Sequence, residues 1–149
     1  MKIINRRGLY DFTILETYEA GINLTGPEVK SVKGGKMTLA SSFVKIIGSE
    51  IYLVNAQIFP YPYARLVDYD PKRTRKLLLH KKQIIALKTK TDSAGLTIVP
   101  LECYNSHGLV KLKIGLGKGK REYEKREKLK KQDMEREIQR ELRGKNVRV

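Results

Sequence analysis

Six Lys/Arg crowd into the eleven residues from Lys72 to Lys82, with no acid among them. The run reads Lys72-Arg73-Thr74-Arg75-Lys76, then Leu77-Leu78-Leu79, then His80-Lys81-Lys82. Arginine forks match phosphate oxygens in pairs and lysine adds point charge, so the strip has the chemistry of an RNA-backbone contact surface. A solvated strand edge whose lysines block edge-to-edge aggregation carries the same composition. Tyr61, Tyr63 and Tyr69 precede the strip. Rings beside cations can stack on unpaired bases, while tyrosines in a long loop also pack that loop onto its domain. Reaction chemistry has less to work with. His80 and His107 are the only histidines and Cys103 the only cysteine, so metal-ligand spacing and a disulfide framework are both missing, and no cofactor is expected. No nucleophile elbow or phosphate-cradling glycine loop is present either. His80 reads as a capping or RNA-contacting residue and His107 as a turn residue. An RNase using His80 is the one catalytic alternative.

Charge extends well beyond this strip. The 149 residues carry a formal net charge of +15, spread as +9 over residues 1–117 and +6 over residues 118–149. Excess charge on both parts indicates a partner gripped along an extended path, and nucleic acid rewards such contact by releasing counterions. The last 32 residues hold thirteen Lys/Arg, seven Asp/Glu and little apolar surface. Such a stretch buries too little to offset the entropy of ordering, so it is expected to be disordered alone. Glu124/Lys128 and Glu127/Lys131 nevertheless sit at helical i,i+4 spacing, and Met134, Ile138 and Leu142 form one thin stripe. The reading is a basic tail, residues 118–149, that becomes helical when held. Residues 1–117 are long enough for one real core. The opening residues lack the apolar run of a signal peptide, and no stretch approaches the ~20 residues of a membrane span, which predicts a soluble, cytoplasmic chain without membrane contact.

The elements that must position the strip read as mainly β. Tyr10 to Thr17 alternates as a strand, Glu19-Ala20-Gly21 reads as a turn, and Thr25-Gly26-Pro27-Glu28 starts a short helix stopped by Gly34-Gly35. Ser42–Ile47 and Ile51–Asn55 flank a hairpin turn, and Gln57 to Tyr69 is an irregular loop. Arg75 to Leu79 is a strand, His80 to Leu87 turns helical with Ile84 and Leu87 inward, and Asp92 to Gly95 is a turn. Leu96–Tyr104 and Leu109–Leu116 form a final hairpin, after which Gly115, Gly117 and Gly119 loosen the exit toward the tail. Six or seven short strands with two inserted helices predict an OB-like antiparallel β-barrel, with an SH3-like barrel as second choice.

Three segments resemble one family. Glu19-Ala20-Gly21-Ile22-x-Leu24-Thr25-Gly26-x-Glu28-Val29-Lys30-Ser31, Arg73-Thr74-Arg75-Lys76-Leu77-Leu78-Leu79-His80 and Gly117-Lys118-Gly119-Lys120-Arg121 leading to Lys125-Arg126 are similar to hallmarks of small protein B, the SsrA-binding protein of bacterial trans-translation. The similarity runs from about Arg7 to Leu142. It implies an OB-like barrel that binds the tRNA-like domain of transfer-messenger RNA as a monomer and enters the A site of a stalled ribosome. The tail would become helical against the rRNA of the decoding centre and the empty mRNA channel, and the protein itself would catalyse nothing. By position, the resemblance assigns Glu19, Leu78 and His80 to the RNA-binding patch, with Lys30, Arg73, Arg75, Lys76 and Lys81 beside them. It assigns Gly119, Lys120, Arg121, Lys125 and Arg126 to the ribosome-binding tail. Tyr123 stands where some members have a stacking histidine; tyrosine stacks but carries no charge at neutral pH. Met134 and Leu142 stand where relatives carry other large apolar residues. A general OB-type RNA-binding or ribosome-accessory protein is the alternative.

Overall fold

A computed structural model describes residues 1–65, 67–120 and 130–140. The chain divides into two units, Met1–Gly119 and Lys120–Val149. In the first unit the described residues form nine strands and three helices: β1 (Lys2–Ile4), α1 (Arg6–Asp11), β2 (Phe12–Ile22), α2 (Gly26–Lys33), β3 (Met37–Thr38), β4 (Phe43–Ile47), β5 (Glu50–Val54), β6 (Gln57–Ile58), β7 (Arg75–Leu78), α3 (Lys81–Ala94), β8 (Thr97–Ser106) and β9 (Leu109–Gly119). Seven strands pair antiparallel in the order β1-β8-β9-β2-β7-β5-β4, and β3 pairs with β6. The sheet curls until β4 lies against β8 without joining it in the ladder, which gives the OB-like, nearly closed barrel.

Alternation along the strands fills the interior. Ala20 and Ile22 of β2, Ile51 and Leu53 of β5, Leu77 of β7, and Leu112, Ile114 and Leu116 of β9 are buried, joined from α3 by Ile84 and Leu87. Cys103 lies in the same core, where burial pushes its thiol up to about 12 and leaves it unreactive at neutral pH.

Local chemistry accounts for the helix starts. Thr25 accepts from the Glu28 N–H at 3.4 Å while the Glu28 carboxylate accepts from the Thr25 N–H at 3.0 Å, a closed capping box with Pro27 in the first turn. Gly34 ends α2, and Gly95, at φ 62°, ends α3 in the left-handed conformation. Helix α3 thus runs through the segment 92–94 read as a turn. At the amino terminus, Asn5 caps α1 by accepting from the Gly8 N–H and donates to the Pro100 carbonyl at 2.7 Å. Neither α1 nor β1 was expected from sequence.

Two readings are corrected by pairing. Glu19-Ala20-Gly21 is not a turn: β2 continues through it, because Glu19, Ala20 and Gly21 pair with Lys113, Leu112 and Lys111 of β9. Nor do the late glycines loosen β9, which stays paired with β2 through Gly119. A Cβ on Gly115 would stand 2.9 Å from Ile14 Cγ2 and Leu101 Cδ1, and one on Gly117 3.0 Å from Phe12 Cβ. These glycines make room for apolar neighbours on the sheet. In the second unit, residues 130–140 are helical.

Candidate nucleic-acid interface

β2 and β7 lie side by side with Gly21 opposite Leu78 and Ile22 opposite Leu77. The two-residue period sends Ile22 and Leu77 into the core and turns Glu19, Gly21, Lys76 and Leu78 outward. The chain then turns at His80 into α3. Together these residues line one open groove of about 510 Å³, whose walls include Glu19, Lys76, Leu78, His80, Lys81 and Lys111. Residue 19 is thus brought beside residues 78 and 80, from which it is distant in sequence.

Each wall has its own support. Leu78 is 56% exposed, and a Cβ on Gly21 would stand 3.1 Å from Leu78 Cβ, so the glycine lets the isobutyl group settle against the β2 backbone. An apolar side chain held in the open at a groove floor supplies shape rather than charge. His80 is the N-cap of α3, and its carbonyl accepts from the N–H groups of Gln83 and Ile84 at 2.9 and 3.1 Å. The Gln83 side chain reaches back to the His80 N–H at 3.4 Å, while the imidazole makes no capping bond and is exposed at the groove. The first turn of α3 therefore brings the positive end of the helix dipole, His80 and Lys81 to the same rim, an arrangement that favours anions.

Two carboxylates stand among the cations. Glu19 accepts a short hydrogen bond from the Tyr104 hydroxyl, which reaches it across β9 from β8. Burial, then the Glu19 bond, push the Tyr104 phenol up to about 12, so it remains a donor at neutral pH. Glu50 accepts from Tyr52 and pairs with Lys76 at 2.9 Å. Those two bonds hold the Glu50 carboxyl below its ordinary value, and Glu50 in turn raises Lys76. Lysines attract any polyanion; a fixed carboxylate repels phosphate locally and accepts from a base N–H or a 2′-hydroxyl. The mixture suits a structured RNA docked in one register better than a generic polyanion. Among the described residues no His/Cys/Asp/Glu group could hold a metal ion.

The basic strip does not act as a unit. Arg75 was expected to contact RNA, and the structure corrects this: its exposure is 0%, because the alternation that turns Lys76 and Leu78 outward turns Arg75 inward. Its guanidinium donates to Glu28 Oε2 from Nε at 2.9 Å and from Nη2 at 2.6 Å, and also to the carbonyls of Ala56, Pro71 and Arg73. Arg73 is half-buried, with Nη2 2.5 Å from Glu28 Oε1. Glu28 itself is 1% exposed. Burial opposes its charge, yet the Arg73, Thr25 and Arg75 bonds prevail and bring it down to about 2. Tyr69 joins this network, its hydroxyl 3.1 Å from Glu28 Oε2 and 3.0 Å from the Ile58 carbonyl. Its hydroxyl ties the loop to the barrel.

The remaining assigned residues fall elsewhere. Lys30 is exposed on α2 and does not line the groove; its ammonium lies 5.4 Å from the Tyr61 ring centroid. Gly119 ends β9 and Lys120 begins the second unit. Met134 is exposed on the helical segment 130–140, whereas Arg121, Tyr123, Lys125, Arg126 and Leu142 lie outside the described residues. Sequence reading missed Lys111, Gly21 and Glu50 as groove components, and Tyr104 as the hydroxyl that holds Glu19. The signal was available only through register: Gly21 faces Lys111, which faces Tyr104 on the next strand.

Known proteins resemble this chain over nearly its whole length. The family model for SmpB protein matches residues 2–144. The chain is 49% identical over 139 residues, 93% of its length and 89% of the relative's, to the SsrA-binding protein of Latilactobacillus sakei subsp. sakei (strain 23K). It is 51% identical over 141 residues, 95% of its length and 93% of the relative's, to the SsrA-binding protein of Sulfurihydrogenibium sp. (strain YO3AOP1). A solved structure described as "tmRNA-SmpB: a journey to the center of the bacterial ribosome" superposes with a TM-score of 0.67 at 45% identity, covering 81% of this chain and 85% of that one. With the family model matching residues 2–144 and relatives about half identical over nearly the whole chain, the chain belongs to the SmpB protein family.

Proposed function

We propose that this protein binds the tRNA-like domain of transfer-messenger RNA through the groove between β2, β7 and the start of α3, and acts with that RNA on stalled bacterial ribosomes. The observation that carries the reading is the convergence of Glu19, from one segment, with Leu78 and His80, from another, on one basic groove in a chain of this family. Leu78 supplies shape, Glu19 accepts hydrogen bonds, and His80, Lys76 and Lys81 meet the RNA backbone. Relatives named SsrA-binding protein, and a structural neighbour described as tmRNA-SmpB on the bacterial ribosome, support the partners. The tail, through Gly119, Lys120, Arg121, Tyr123, Lys125, Arg126, Met134 and Leu142, enters the decoding centre and the vacant mRNA channel. In this reading the protein works in the cytoplasm, as a monomer on its RNA, without cofactor and without catalysing a reaction. No helix among the described residues is long and apolar enough to cross a membrane.

Binding of the isolated tRNA-like domain, with random RNA of equal length as competitor, tests the proposal. His80→Ala is expected to weaken tRNA-like-domain binding about tenfold, the size of one lost charge-assisted contact. Glu19→Ala is expected to narrow the preference for that domain over random RNA. A wild-type protein that binds both RNAs equally would instead be a general RNA-binding or ribosome-accessory protein.

A further inference from the structure

The segment from Phe59 to Arg65 is anchored at its base and open at its tip. The N–H groups of Ile58 and Phe59 donate to the carbonyls of Pro71 and Lys36 at 2.9 and 3.0 Å, and Tyr69 bonds the Ile58 carbonyl. Pro60 and Pro62 restrict the backbone on both sides of Tyr61, and the Ala64 N–H closes a turn on the Tyr61 carbonyl at 3.1 Å. On this mount the rings of Tyr61 and Tyr63 stand edge to face, centroids 5.4 Å apart and planes at 65°. The Lys30 ammonium lies 5.4 Å from the Tyr61 centroid. Tyr63 is 86% exposed.

One exposed ring is ordinary on a protein surface. A rigidly mounted edge-to-face pair with a cation on one ring is a different object. Tyrosine orders at low entropic cost, and proline removes much of the cost of fixing the loop, so the tip is prepared for contact. We propose that Lys30, Tyr61 and Tyr63 form a stacking site for an unpaired nucleobase of single-stranded RNA, distinct from the groove, whose lining includes none of the three. Residues 57–67 contain no acid, and Lys36, whose carbonyl accepts from the Phe59 N–H, is exposed. This charge suits a phosphodiester flanking the stacked base, and bases of any identity present a π-face to an aromatic ring. A lone phosphate would need no ring, and an acidic peptide would gain little from one. The site uses no contact from the groove, so each assignment stands or falls separately.

The test uses the full chain and a ten-nucleotide adenine oligonucleotide with 2-aminopurine at its centre. Stacking on Tyr63 is expected to quench the fluorophore. Tyr63→Ala should abolish the quenching and weaken binding about tenfold, the effect of losing one stacked base. Tyr63→Phe should keep affinity within about twofold, and Tyr63→Trp should tighten binding, because the ring face and not the hydroxyl is the contact. All three should leave the salt dependence unchanged, whereas Lys30→Gln should flatten it. An abasic oligonucleotide should be indifferent to Tyr63→Ala. Because Tyr63 is exposed, its variants should melt with the wild type. The proposal is overturned if wild type fails to bind the oligonucleotide, if Tyr63→Ala binds like wild type, or if the abasic strand loses affinity equally.

Discussion

Glu28 decides the fate of two arginines that would otherwise be free for RNA. Its carboxylate is buried and receives Arg73, Arg75, Tyr69 and the Thr25 N–H, so a single side chain joins the α2 capping box to the approach of β7. Arg75 also satisfies three carbonyls, so the pair cannot be exchanged for an apolar pair of equal volume without leaving those groups unmet. Glu28→Gln keeps the shape but strands a buried guanidinium, and is expected to cost about 3–5 kcal/mol at pH 7. That is a large part of the ~5–15 kcal/mol that stabilises a typical domain. The sign with pH follows from the depressed acidity. The folded group titrates at about 2 against an ordinary 4.5, so its contribution is complete above pH 4.5 and disappears as pH falls toward 2. Urea unfolding from pH 7 to pH 2 should show wild type and Glu28→Gln converging across that window. Parallel profiles would mean that Glu28 does not carry the stabilisation. An arginine count alone could not reveal this, since an arginine bound to a buried acid and one waiting for phosphate are the same letters.

Elements were legible where the signal was local. Thr25, Pro27, Glu28 and Gly34-Gly35 specify α2 through capping and backbone geometry, and the structure builds the helix between them. The β4–β5 hairpin was readable from its turn, with Gly48 at φ 63°. What failed needed a partner strand. β1 is three residues long and exists because β8 offers an edge, while Glu19-Ala20-Gly21 looks like a turn until β9 is placed beside it. The inward aim of Arg75 is implicit in the period of β7, since a buried Leu77 puts Arg75 on the same inner face, although its charge alone argues for an outward one. The glycines of β9 show the same dependence on neighbours, and they separate cleanly by experiment. Gly115→Ala presses a methyl into Ile14 and Leu101 and is expected to cost about 1–3 kcal/mol. Gly119→Ala meets nothing within 4 Å and should stay within about 0.5 kcal/mol of wild type. Equal destabilisation in denaturant titrations would contradict the close-packing role of Gly115. A stable Gly119→Ala protein also makes any loss of ribosome activity in that variant a statement about the tail rather than the fold.

At the scale of the molecule the question is where binding ends and probing begins. A cut at Lys118 would remove part of β9, because Lys118 and Gly119 pair with Thr13 and Phe12 of β2. A chain ending at Lys120 keeps every strand among the described residues and every groove residue. It loses eleven Lys/Arg and seven Asp/Glu. If the groove alone holds the tRNA-like domain, this truncation should bind that domain within about threefold of wild type. The slope of affinity against salt should also be unchanged, since the same phosphates are neutralised. Peptide tagging on stalled ribosomes should nevertheless be lost. The proposed placement of the tail gives the reason: residues 130–140 alone span about 16 Å at 1.5 Å per residue, and if that rod lies in the message channel a strand of message would exclude it. Lengthening the message beyond the stalled codon should therefore reduce tagging by the full-length protein progressively. A truncated chain that loses transfer-messenger RNA binding as fully as it loses tagging would place the cations of the tail in the RNA grip itself, and the division of labour between barrel and tail would not hold.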